Sequence, residues 1–396
     1  MLENNSNVPK PITMKRLWIF IIFIYTLYPS LRAQDKIKFL TFSGYLSTMQ
    51  SVMFDSLSGQ FINDNIIHNR LNFKGYINQN ITFAVEIRNR LFTGDMVRSG
   101  NSYSEEIGSD QGLVDLSWNI INKRSFFLNS TIDRAWMDFN YGKIQARIGR
   151  QRINWGQTLV WNPNDIFNAY SFFDFDYVER PGSDAVRIQY YPNSSSAFEV
   201  AVKADYMNQI TAATLYRFNK WGYDIQFLAG YFNSEDIIAG AGWSGAIGSV
   251  SFRGEASWFQ SAKNFSDSTG TVIFTTGIDK TFKNNSMFTA QVMYCNNPVK
   301  SINFGSFYLG NQSTKELAYS RFSAFGQFSY PVTPLLNLSV SAMWFPDLDG
   351  YFAGPSLDYS LAENVDLSIF WQHFENKIRS EKTQMNLGFL RIKVSF

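Results

Sequence analysis

Nucleophilic and acid–base catalysis need an activated nucleophile with a base in reach, and the chain offers little for either. It contains two histidines, His68 and His373, and one cysteine, Cys295. Each histidine lies near the outer end of a different strand-like segment, has no motif around it, and reads as a polar rim residue. Cys295 reads as a small apolar wall residue, and a lone cysteine builds no internal disulfide. The acids match no calcium-loop spacing. The expectation is a protein that is not an enzyme and holds no metal or cofactor. The chemistry these residue types do support is electrostatic. Arg88, Arg90, Arg134, Arg147, Arg187, Arg217, Arg253 and Arg321, with Lys203 and Asp138, recur on one face of alternating segments. Asp165, Asp174, Asp176 and Glu179 gather in one stretch, interleaved with aromatic residues such as Trp155 and Trp161 and joined by Asn162. Arginines ringing a narrow aqueous passage raise the local concentration of anions, and carboxylates facing them shape its field.

Strands must position these side chains. In 133–141, Arg134, Trp136, Asp138 and Asn140 alternate with Ala135, Met137, Phe139 and Tyr141. After Gly142-Lys143 the alternation resumes, with Ile144, Ala146 and Ile148 opposite Gln145, Arg147 and Gln151. Period two means strand, and Gly-Lys between two strands is a hairpin turn. From Lys38 onward about 18 such segments follow one another, with 16 as the alternative. Short turns occupy every second connection; the others are mostly longer, notably 55–66, 93–131, 152–184, 260–271 and 296–317. Prolines fall in connections or at segment ends, as a hydrogen-bonded ladder requires, except Pro355, which predicts a bulge.

Composition agrees. Aromatics make up 17% of the chain, and no apolar run is long enough for a membrane helix. A net charge of +2 gives no case for nucleic acid. Lys15-Arg16 followed by the apolar run Leu17–Leu27 reads as a signal peptide over 1–33, with Met14 an alternative start and 34–396 the mature barrel. The apolar faces end in aromatics at both ends of the segments, as at two membrane interfaces. In the last segment Leu390, Ile392, Val394 and Phe396 share one face, which resembles the terminal strand that barrel-assembly machinery recognises, with Phe396 as its signal.

Three pieces carry a wider resemblance: 132–138 (IDRAWMD), 146–156 (ARIGRQRINWG) and 161–165 (WNPND). This block resembles that of alginate-export-type porins and related outer-membrane barrels of Gram-negative bacteria. The resemblance implies an all-β, antiparallel transmembrane barrel, with the stretch 153–184 near the pore as a constriction loop. It implies passive passage of small polar or anionic solutes, oligosaccharides or acidic polysaccharide among them, with outer-membrane lipid and the assembly machinery as partners. The rival classes are a barrel enzyme and a surface-binding or assembly component, for which the sequence shows neither a catalytic motif nor a separate domain.

Overall fold

The computed structural model describes residues 39–396, apart from 58, 171, 174–178, 268, 300–312 and 379–380. The expected leader over 1–33 lies outside the described residues. The first strands are β1 (Leu40–Phe54), β2 (Ile62–Tyr76), β3 (Ile81–Gly94), β4 (Ser117–Lys123), β5 (Phe126–Tyr141) and β6 (Ile144–Gln151). Next come β7 (Ser183–Asn193), β8 (Ser196–Ala204), β9 (Ile210–Lys220), β10 (Tyr223–Phe232), β11 (Asp236–Ile247), β12 (Val250–Ser261) and β13 (Thr271–Thr281). The wall is completed by β14 (Met287–Cys295), β15 (Phe322–Thr333), β16 (Leu336–Phe345), β17 (Gly350–Ala362), β18 (Val365–Ile378) and β19 (Glu381–Ser395).

Each strand pairs antiparallel with its neighbours, and β1 pairs with both β2 and β19, so the sheet closes on itself. The seam is completed by Phe396, whose backbone N–H and C=O exchange 2.9 Å hydrogen bonds with Gly44. Eighteen strands form the wall, as the alternation predicts. The extra element is β4. It pairs with the outer half of β5, while β6 takes the inner half of the same edge. It therefore stands above β6 rather than adding to the circumference. Neither β4 nor the first part of β5 is legible in the alternation, because Phe126–Ile132 alternates in the opposite phase to the rest of that strand.

The phase changes at a bulge. Pairing of β3 with β5 shifts between Glu86 and Ile87, leaving Asp133 as an extra residue on β5. Asn129 and Thr131 face inward before it, and Arg134 and Asp138 after it. Asp133 and Arg134 consequently both turn into the barrel, 3% and 6% exposed. Bulges commonly redirect a side chain in this way. The bulge expected at Pro355 is absent. Pro355 pairs with Val340 on β16, and the ladder to β18 lapses between Ala353 and Ser356 without any change of register. A proline removes one donor, and here the strand tolerates the gap.

The outward face is apolar, with Val186, Val202, Val292, Val340 and Ile392 all exposed. The inward positions carry the polar and charged residues. The largest cluster of buried apolar side chains joins residues of the 152–182 connection to inward-facing wall residues, so it lies inside the barrel. Lipid on one side and a filled lumen on the other account for the alternation of every strand. Val202→Arg, in mid-strand on the outward face, should destabilise the barrel by about 2–4 kcal/mol, the range for a cation at the bilayer midplane. Denaturant unfolding in lipid vesicles measures this, and a variant as stable as the parent would mean that β8 is in another register.

Candidate functional site: a connection folded into the lumen

The connection between β6 and β7, residues 152–182, crosses the lumen, and wall side chains hold its backbone. Glu255 on β12 is wholly buried and is the main anchor. Its Oε1 accepts from the backbone N–H groups of Gln157 and Thr158 and from Thr158 Oγ1 at 2.8 Å, and its Oε2 accepts from the Asn164 N–H at 3.0 Å. Hydrogen bonds to a charged group contribute about 1.5–3 kcal/mol each. Four of them let a carboxylate stay buried with no cation within ion-pair distance among the described residues. Neighbouring strands repeat the arrangement with neutral groups. Gln226 on β10 donates to Trp155 O at 2.6 Å, and Gln291 on β14 receives Val160 N–H at 2.9 Å and donates to Trp161 O at 3.1 Å. Ser257 donates to Pro163 O at 2.8 Å. Trp155 Nε1 reaches Glu199 on β8 at 2.7 Å.

Room for this backbone comes from β11. A Cβ added at Gly240 would lie 2.6 Å from Asn164 Oδ1, and one at Gly242 would crowd Gln157 and Asn164 at 3.0 and 3.1 Å. Glycine inside a strand commonly marks such close approach, and that is the sequence signal that could have located the contact. Further along, Phe172 and Phe173 reach the far wall. Phe172 packs on Phe325 of β15 at 5.1 Å, and Phe173 packs on Phe352 of β17 and Phe374 of β18 at 5.1 and 5.0 Å. The stretch thus spans the lumen from β8 to β18.

Its returning end meets an arginine cluster. Arg70 on β2, 1% exposed, lies 2.5 Å from Glu86 and from Asp133, and 3.9 Å from Glu179. Arg88 Nε is 3.4 Å from the same Asp133. Arg134 donates to the backbone carbonyls of Glu179 and Arg180 at 2.9 and 2.7 Å. Expected as a pore-lining charge, Arg134 instead clamps the end of the connection. Arg150 is bound at 2.6 Å by Asp110 and at 2.8 Å by Asp184.

The other expected residues divide by surroundings. Asp138 receives Arg147 Nε, Gln145 and Asn140, each at 2.7 Å, and the Arg147 guanidinium stacks 4.1 Å from the Trp136 ring. Arg253 pairs with Asp279 and reaches Gln157 O at 3.3 Å. Lys203 donates to Phe167 O at 2.9 Å. Arg90 donates to Asn129 at 2.9 Å. Arg187 and Arg217 face inward with no acid within ion-pair distance among the described residues. Arg321 is exposed just before β15 at the outer rim, its backbone N–H bound to Asp347. His68 is not a rim residue either: it is buried in the lumen, 3.4 Å from the Tyr45 hydroxyl.

In the connection itself, Trp155, Trp161, Asn162 and Asp165 are buried, and Asn162 donates to the Tyr170 hydroxyl at 3.0 Å. Asp174 and Asp176 lie outside the described residues. Burial pushes the Asp165 carboxyl up to about 7, with Arg152 opposing the rise. Toward the outer end, a cavity of about 560 Å³ is bounded by Arg88, Arg90, Asp133, Arg150 and Lys203 on the wall and by Phe167 and Tyr170 on the connection.

Glu255→Ala would strand three backbone N–H groups in a buried site, each costing about 1–3 kcal/mol. The connection should leave its seat. Single-channel conductance should rise and protease added from outside should cleave within 152–182, whereas unchanged conductance and resistance would show that Glu255 is not its anchor.

Solved structures with this fold are known. The chain is similar to OccAB4 of Acinetobacter baumannii, with a TM-score of 0.56 at 10% identity over 90% of this chain and 98% of that one. It is similar to OccK2 (OpdF) of Pseudomonas aeruginosa, with a TM-score of 0.57 at 7% identity over 92% and 100%. OpdQ of the same species gives 0.56 at 11% identity over 91% and 99%. No protein-family model and no curated sequence matches the chain. At these identities the likeness is one of fold: a closed, eighteen-stranded antiparallel barrel of outer-membrane porin type.

Proposed function

We propose that the protein is a diffusion channel of the Gram-negative outer membrane, admitting small polar solutes and favouring anions. Its apolar exterior suits lipid, and its fold is that of outer-membrane porins. The observation that carries the reading is the lumen, narrowed by the 152–182 connection while Arg187 and Arg217 face it with no acid within ion-pair distance among the described residues. Arg147 with Asp138 and Arg253 with Asp279 form ion pairs in the wall, which leaves Arg187 and Arg217 to bias the field of the passage toward anions. In partly excluded water such charges act more strongly than on an open surface. Trp155, Trp161, Asn162, Asp165 and Glu179 act in this reading as the frame of the constriction. The likeness to alginate-export porins supports the barrel class.

The double substitution Arg187→Gln with Arg217→Gln should leave a heat-modifiable barrel and move the reversal potential in a salt gradient toward cations. A reversal potential equal to the parent's would reduce both arginines to wall structure. Assembly is a separate point. Phe396 closes the β1–β19 seam and packs on Phe42 with ring centres 5.7 Å apart, which supports a role as the assembly signal. Removing it should lower the amount of folded barrel in the outer membrane, read as the unheated band in gel electrophoresis; a normal level would count against that role.

A further inference from the structure

In one sector the apolar lipid-facing wall is interrupted by neutral polar side chains. On β1, β2, β3 and β5 the outward positions include Thr48, Gln50, Asn65, Asn69, Asn89 and Ser130. On β7, β8, β14 and β16 the same face carries Val186, Ile188, Val200, Val202, Val292 and Val340. Two aromatic groups on the polar sector fix its depth. Phe42, Phe73 and Phe396 pack together at the inner end, and Phe54, Phe61 and Trp371 at the outer end. Phe42 and Phe54 stand twelve positions apart on β1. With a rise of about 3.3 Å per residue and a tilt near 40°, that is about 30 Å of depth, close to the apolar band of such barrels. The amides therefore lie within the band, not above it.

They are also incompletely satisfied. Asn65 donates to Thr48 and Gln50 at 3.3 and 3.4 Å, Asn69 to Tyr45 O at 3.2 Å, Asn89 to Asn69 at 3.2 Å, and Ser130 to Asn89 at 2.7 Å. A primary amide has two N–H donors and an oxygen with two lone pairs. Asn69 and Asn89 each keep an N–H, and the Asn65 oxygen accepts no bond among the described residues. Hydrocarbon offers no partner, so each such group facing it is costly.

We infer that this sector is the interface with a second copy of the same chain, forming a two-fold dimer in the membrane. The six side chains carry no charge, so attraction to a charged partner is not what they are built for. Asn and Gln supply donor and acceptor together, which makes the patch complementary to itself. Copies in one membrane share one orientation, and a two-fold axis along the membrane normal brings like depths together, so each amide meets an amide. An isologous contact needs nothing more. The inference requires only that the barrel lies in a membrane, not that it conducts.

The test combines crosslinking with mass measurement. Gln50→Cys in native outer membranes, treated with a short thiol crosslinker, should give a product of about twice the single-chain mass, and Val340→Cys on β16, outside the polar sector, should not. Cys295 is buried and serves as internal background. Light scattering in mild detergent should show the parent as a dimer. Asn65→Leu with Asn69→Leu and Asn89→Leu should show a monomer that keeps its heat-modifiable barrel, with crosslinked product from Gln50→Cys reduced about tenfold. A monomeric parent with no Gln50→Cys crosslink would overturn the inference. So would a crosslink through Val340→Cys alone, or a Gln50→Cys adduct to a different protein. Conductance of the triple variant, measured separately, bears on the channel reading and leaves this one untouched.

Discussion

The lumen depends on one buried carboxylate. Glu255 gathers three backbone N–H groups and a hydroxyl from a single stretch of the 152–182 connection. The described residues of this connection form no ladder of their own, and their peptide groups would be costly in a closed space without partners. The wall supplies them. Glu255, Gln226, Gln291 and Ser257 stand on β10, β12 and β14, where inward side chains of alternate strands can reach the same segment. Phe172 and Phe173 then complete the crossing by burying apolar surface against the far wall.

A second constraint sits at the bulge in β5. One extra residue turns Asp133 inward beside Arg134, and Asp133 becomes the counter-charge for Arg70 and Arg88. Without it, two arginines on neighbouring strands would face each other at paired positions. With it, the cluster is compensated and Arg134 is released to hold the carbonyls at the end of the connection. The same local irregularity thus serves the wall and the loop. Among the described residues Arg187 and Arg217 have no acid within ion-pair distance and, unlike Arg134, no hydrogen bond to the connection, which is why the field of the passage is assigned to them and not to Arg134, which holds the connection, or to Arg147, which is paired with Asp138.

How much was legible beforehand follows from periodicity. A strand with lipid on one side and water or packed loop on the other must alternate, so Ile144, Ala146 and Ile148 opposite Gln145 and Arg147 already specified both strand and facing. The phase of each run placed Asp138, Arg147, Arg187, Arg217 and Arg253 on the inner face. The block from Ile132 to Asp165 marked the connection that enters the lumen.

What alternation could not reveal was anything that breaks it or acts across strands distant in sequence. The bulge at Asp133 shifts phase by one residue, which a period-two reading takes for a loop, so Phe126–Ile132 was lost and β4 with it. Nothing in the period of β12 distinguishes Glu255 from any other inward charge, because its partners lie about ninety residues away in a segment with no period. Whether an inward arginine meets an acid depends on register and shear between strands, which turn lengths only loosely constrain. Composition and periodicity determined the barrel and the facing of its residues. Closure of the sheet decided which charges cancel, which remain, and which side chain holds the connection in place, because those are properties of distances that exist only once the wall is complete.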